Sequence, residues 1–120
     1  MQRNHLLARA EINDQIAICA GEEDRYYDSV TAAQAADMLL QISNVDASFV
    51  ITKRPDGGVG VSARSMGDFN VQVVMEKMGG GGHLANAATQ ISGKTVAEGK
   101  QELLNLLHQR VAKDDEKTEE

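Results

Sequence analysis

Residues 78–88 read MGGGGHLANAA and set Gly79, Gly80, Gly81 and Gly82 directly before His83. Glycine loses more backbone entropy on ordering than any other residue. The run is therefore either a slack spacer or a segment whose ordering some interaction offsets. The second case has a physical cause. Without Cβ atoms and with positive φ open to them, successive N–H groups can turn toward one concavity and hold an anion. If HLANAA (83–88) opens a helical turn, its unpaired N–H groups and its dipole add to the same concavity. His83 then stands at the rim, able to donate to a phosphate oxygen and partly charged near neutral pH. Arg64, in VGVSARS (59–65), offers a planar fork for two-point phosphate contact. A structural histidine and an exposed strand arginine are the competing readings, and residue types alone leave both open. The spacing excludes two other phosphate loops, because no Lys-Ser/Thr follows the last glycine and no G-x-G-x-x-G is present.

Residues for cutting a phosphodiester are harder to find. That reaction usually needs a metal, a generated hydroxide or a strong general base. His5, His83 and His108 are spread along the chain, and Asp37, Asp46, Asp56 and Asp68 stand singly. Asp114 and Asp115 adjoin, but in the acidic end KDDEKTEE (113–120). Cys19 is alone in the apolar IAICA (16–20), which reads as a buried thiol in a reducing setting. No metal site and no catalytic group are expected within these residues; the chain is better equipped to bind than to react.

The elements that must hold these residues follow from periodicity. MQRNHLLARAEI (1–12) reads as a helix and QIAICA (15–20) as a buried strand. VTAAQAADMLLQIS (30–43) is an amphipathic helix with Thr31 and Gln34 as its capping box. ASFVITKR (47–54) and VGVSARS (59–65) flank PDGG (55–58), a hairpin signal. Val59, Val61 and Ala63 point one way, and Gly60, Ser62 and Arg64 the other. FNVQVVMEKM (69–78) is read as a helix capped by Asn70, and NAATQISG (86–93) as a segment that starts helical and ends as a strand. Thr95 and Glu98 form a second capping box and open a helix through Val111. The expectation is an α/β fold: a single domain, a mixed β-sheet with flanking helices. Residues 1–14 read as a linker helix, 15–112 as the domain and 113–120 as a disordered acidic tail.

Composition narrows the partners. The 120 residues are 42% hydrophobic with two Tyr, two Phe and no Trp, so the core must be aliphatic. The net charge of −6 argues against tight non-specific nucleic-acid binding, which rests on Lys and Arg. It leaves room for a small anion held at one local site. No run approaches the roughly 18 apolar residues of a membrane span, and no signal peptide opens the chain.

The string VGVSARSMGDFNVQVVMEKMGGGGHLANAATQISG (59–93) resembles the C-terminal, DHH-associated domain of the membrane-anchored cyclic-di-AMP phosphodiesterases of bacteria. The similarity extends back through VTAAQAADMLLQISNVDASFVITKR and forward through TVAEGKQELL. GGGGH alone would indicate only the wider superfamily, which includes single-strand exonucleases, oligoribonucleases and the C-terminal domain of alanyl-tRNA synthetases. The resemblance implies a larger enzyme at the cytoplasmic side of the cell membrane, with two transmembrane helices, a PAS-like sensor, a degenerate GGDEF domain and a DHH domain. The DHH domain would hold two manganese ions and activate water, cleaving cyclic-di-AMP to the linear dinucleotide pApA. The domain read here would close over the cleft and grip substrate. By resemblance Gly79–Gly82 and His83 contact phosphate and nucleotide, Arg64 contacts phosphate, and Ser62, Asn70 and Asn86 match family positions. Partners implied are cyclic-di-AMP or pApA and the DHH domain of the same polypeptide, with a homodimer left open. No cofactor is assigned to the chain itself, which is expected to be soluble and inactive alone. The alternatives are an oligoribonuclease or pAp phosphatase, a non-enzymatic RNA-binding module, and a structural domain with a slack glycine linker.

Overall fold

The hairpin signalled by PDGG forms the middle of the sheet. The computed structural model describes the backbone of residues 2–119 and the side chains of residues 4–109. Its elements are α1 (Gln2–Leu7), β1 (Ala10–Asn13), β2 (Ile16–Ala20), α2 (Ser29–Leu40), β3 (Ala47–Lys53), β4 (Val59–Ser65), α3 (Val71–Lys77), β5 (Gly81–His83), β6 (Asn86–Ile91) and α4 (Val96–Glu119). Six strands form one sheet in the order β1-β2-β3-β4-β6-β5. Only the β2–β3 pair is parallel, so the sheet is mixed, as expected.

The central strands are apolar on one face and carry Ser48, Val50 and Thr52 of β3 with Gly60, Ser62 and Arg64 of β4 on the other, and helices pack on both. Phe49 and Ile51 of β3 and Val59 and Val61 of β4 pack with Val71 and Met75 of α3 and Leu103 of α4. On the other side Val50 packs with Ala32, Ala35, Ala36 and Leu39 of α2 and with Leu6 of α1. The alanines let α2 lie close enough for the Ser48 hydroxyl to donate to the Ala36 carbonyl at 2.7 Å. Cys19 is buried. Its Sγ donates to the Leu6 carbonyl at 2.9 Å, and burial pushes its pKa up to about 11.

Three sequence expectations are corrected. The first helix ends at Leu7, and residues 10–13 form a strand instead. A tight turn at Asp14 (φ 50°) and Gln15 (φ 69°) pairs that strand with β2. Asp-Gln lacks the glycine that usually marks such a turn, so the hairpin left no sequence signal. Residues 1–14 are also not a detached linker: Leu6 is fully buried, and Arg9 Nε donates to the Ala20 carbonyl at 2.7 Å. At the other end α4 continues through residues 113–119, which were read as a disordered tail. No Gly or Pro follows Gly99 to stop it, and Lys, Glu and Ala are good helix formers.

The helix caps differ in detail. Asp28, not Thr31, caps α2, its Oδ1 accepting the Thr31 N–H at 2.7 Å. At α4 the expected box forms: Thr95 N–H donates to Glu98 Oε1 at 2.9 Å, and Glu98 N–H to Thr95 Oγ1 at 3.1 Å. Both carboxylates sit below their ordinary pKa, chiefly because backbone N–H groups of Thr31 and Thr95 bind the charged form. Their stabilisation is therefore complete above the unfolded carboxylate value of about 4, and is lost as pH falls through the lower folded value. An unfolding series from pH 6 to pH 2 is expected to show stability falling only in that acid window. Asp28→Asn together with Glu98→Gln should flatten part of that fall.

Candidate functional site

The glycine run begins as a helix stop. Gly79 adopts φ 88°, and its N–H donates to the Glu76 carbonyl at 3.1 Å. The Gly80 N–H donates to the Met75 carbonyl at 2.8 Å. These two bonds are the paired closure of a Schellman motif at the C-terminus of α3. Gly80 then passes so close to β6 that a Cβ there would stand 2.2 Å from the Ala88 carbonyl oxygen and 2.6 Å from Thr89 Cα.

HLANAA does not open a helix. Gly81–His83 and Asn86–Ile91 are an antiparallel hairpin, turned by Leu84 and Ala85. The expected amide nest backed by a helix N-terminus is thus replaced by a helix C-terminus, with the Gly79 and Gly80 amides already bonded. Strand pairing prevails because Ala87 and Thr89 alternate into the core beside β4, while Asn86, Ala88 and Gln90 point away and are exposed. A two-residue turn makes His83 and Asn86 a hydrogen-bonded pair, and alternation then aims the Gly82 amide away from β6 along the open edge of β5.

This hairpin brings the sequence-identified residues together. Registered pairing places Ser48, Arg64, Asn86 and His83 in one row across β3, β4, β6 and β5. The next row is Val50, Ser62, Ala88 and Gly81. All eight share the face on which α2 sits. That helix packs on β3 and β4, so Ser62 is only 4% exposed. Beyond it the face opens: His83, Asn86 and Ala88 are exposed, and a Cβ on Gly81 would meet nothing within 4 Å. The result is a shallow floor of small side chains with a guanidinium, a carboxamide and an imidazole along one side. Adjacent strands are about 4.8 Å apart, so Arg64 and His83 flank a strip about 10 Å wide.

Arg64 is not the loose surface side chain its position in a polar-facing strand suggested. Its side chain is 14% exposed, and Nε donates to Asp37 Oδ1 of α2 at 2.8 Å. Nη1 donates to the Ala63 carbonyl at 2.9 Å. In the sequence Asp37 stands as a single helix aspartate, and nothing there signals a partner 27 positions away. Asn70 lies apart from the row. It caps α3, its Oδ1 accepting the Val73 N–H at 3.3 Å.

Among the described residues no three His, Cys, Asp or Glu side chains come together to hold a metal ion. A cleft lined by Glu11, Ile16, Lys100, Leu104 and His108 lies on the other side of the sheet, and no residue of the row lines it.

The model of the DHHA1 domain matches residues 13–113. The chain belongs to the DHHA1 family. This DHHA1 chain is 55% identical over 109 residues to the cyclic-di-AMP phosphodiesterase GdpP of Geobacillus thermodenitrificans, covering 90% of the chain and 17% of that relative. It is 53% identical over 107 residues to the cyclic-di-AMP phosphodiesterase PdeA of Listeria monocytogenes, covering 88% of the chain and 16% of the relative. The DHHA1 chain thus spans about one sixth of the length of the relatives it matches. Among solved structures, an exopolyphosphatase-related protein from Bacteroides fragilis superposes with a TM-score of 0.73 at 18% identity, over 98% of this chain and 35% of that one. The α/β fold with its mixed sheet is shared with it. Among the described residues no helix is long and apolar enough to cross a membrane.

Proposed function

We propose that this DHHA1 domain is the substrate-gripping part of a phosphodiesterase that cleaves cyclic-di-AMP to pApA. The observation that carries the reading is the open sheet face on which Arg64, Asn86 and His83 stand in one row beside a floor of Ala88 and Gly81. Nucleotides need a cation for phosphate, donors and acceptors for sugar or base, and room for close approach. The row supplies the first two and the small residues the third. Arg64 binds a phosphate oxygen pair, with Asp37 holding the guanidinium in place. His83 donates to a second phosphate oxygen, and Asn86 between them reads a hydroxyl or a base edge. Gly79–Gly82 contribute indirectly: the helix stop and the close approach to β6 set His83 beside Asn86. Relatives with 53–55% identity bear the name cyclic-di-AMP phosphodiesterase, which supports the choice of ligand.

A shallow face grips best when a second surface closes on it, which fits a DHH domain of the same polypeptide lying over the row. That domain would supply the metal-activated water, manganese in the family this chain resembles, and the whole enzyme would sit at the cytoplasmic face of the membrane. The chain alone is then a binder. Calorimetric titration with cyclic-di-AMP and pApA is expected to show saturable binding, and incubation with manganese no release of pApA from cyclic-di-AMP. A flat titration with both ligands would overturn the binding role, and manganese-dependent turnover would overturn the division of labour.

A further inference from the structure

The face that carries Arg64 and His83 has a second guanidinium at its far end. Arg54 leaves β3 and folds back over Gly60, so that a Cβ built on Gly60 would stand 2.0 Å from Arg54 Nε and 2.5 Å from its Cζ and Nη2. Gly60 lies on the same face as Ser62 and Arg64, two and four residues along β4, with Gln90 of β6 as its registered neighbour. Only 9% of Arg54 is exposed. A charge buried to that extent is ordinarily paired. Yet among the described residues no carboxylate forms an ion pair with it. Nη1 makes one long bond to the Tyr27 carbonyl at 3.4 Å. Asp28 and Asp56 act on it from further away, and burial draws its pKa below the ordinary arginine value. Asp56 is already engaged, both carboxylate oxygens accepting from Gln90 Nε2 at 3.2 and 3.1 Å. The hydroxyl of Thr52, a residue that pairs with Gly60 across the hairpin, is buried without a hydrogen-bond partner.

We infer that Arg54 is a second anion-binding residue of this face, holding one phosphate group at the Gly60–Gln90 end while Arg64 holds another at the Asn86–His83 end. Gly60 is glycine so that the guanidinium can lie flat against the strand. Along β6 the four residues from Asn86, beside Arg64, to Gln90, beside Gly60, span about 13 Å, and the exposed Ala88 between them leaves that length open. The site is thereby matched to a ligand with two phosphate groups rather than one. This deepens the reading proposed above and rests on it.

Titration of the chain with pApA and with AMP tests the inference. Wild type is expected to prefer pApA. Arg54→Met should weaken pApA binding about tenfold and leave AMP, anchored at the Arg64 row, within twofold. Arg54→Lys, which keeps the charge and loses the fork, should fall between. Gly60→Ala provides an independent arm, because the new Cβ swings the guanidinium away without removing its charge, and it should show the same selective loss. Thermal melting of each variant separates these effects from unfolding. Unchanged pApA binding in Arg54→Met or Gly60→Ala, or an equal loss of AMP and pApA, would overturn the role of Arg54. Failure of the wild type to bind either ligand would instead sink the underlying reading, and the inference with it.

Discussion

Replacing Arg64 by alanine is expected to weaken binding of cyclic-di-AMP and pApA by about 1.5–3 kcal/mol, the usual range for hydrogen bonds to charged groups. That is roughly a tenfold to 150-fold loss by RT ln K. Arg64 sits at the border between the covered and open parts of the face, with β6 exposed beside it. Asp37 fixes the guanidinium by way of Nε, so little side-chain entropy remains to be lost when a phosphate arrives. The cost to folding should be small, because Asp37 is 58% exposed and hydrates when its partner is removed. Arg64→Lys should recover only part of the affinity, since an ammonium lacks the planar fork. Calorimetry checks the affinities and thermal melting the fold. An Arg64→Ala variant that binds both dinucleotides like wild type would remove phosphate contact from this residue.

The second large effect separates two neighbouring glycines. Gly80→Ala is expected to destabilise the chain by about 2–3 kcal/mol, as overpacking does in a close-fitting interior. Its Cβ would stand 2.2 Å from the Ala88 carbonyl oxygen, and backbone on both sides leaves no flexible atom to yield. Gly81→Ala should change stability by less than about 0.5 kcal/mol, because nothing lies within 4 Å of its Cβ. Its methyl would nevertheless rise from the floor of the face beside Ala88 and should weaken dinucleotide binding severalfold. Chemical denaturation and titration of the two variants give opposite patterns: a fold defect at position 80, a ligand defect at position 81. Equal tolerance at both positions would restore the slack-spacer reading.

The opposite fates of these neighbours show where the sequence was legible. Elements with a strong local signal came through. The PDGG hairpin, the alanine-faced helix, the Asn70 cap and the Thr95–Glu98 box each rest on contacts within a few residues, so local pattern is enough to specify them. The β1–β2 hairpin was hidden because Asp14 and Gln15 adopt positive φ without glycine. Residues 86–88 looked helical because Asn and Ala carry no strand preference. Only their pairing with β4 and β5 makes them a strand.

The candidate site divides along the same line. From the sequence alone came the residues: Arg64, Ser62, His83 and Asn86 were chosen on type and on family resemblance, and the structure sets them on one face. What the glycines do was decided by the tertiary structure. Gly79 ends α3 and Gly80 clears β6, so two of the amides expected to bind an anion, those of Gly79 and Gly80, are bonded within the chain. The Asp37 clamp on Arg64 and the approach of Arg54 to Gly60 are likewise tertiary. The physical reason is range: side-chain chemistry and short-range caps are written residue by residue. Which amides stay unbonded, and which charges meet, depends on strand register between segments far apart in the chain.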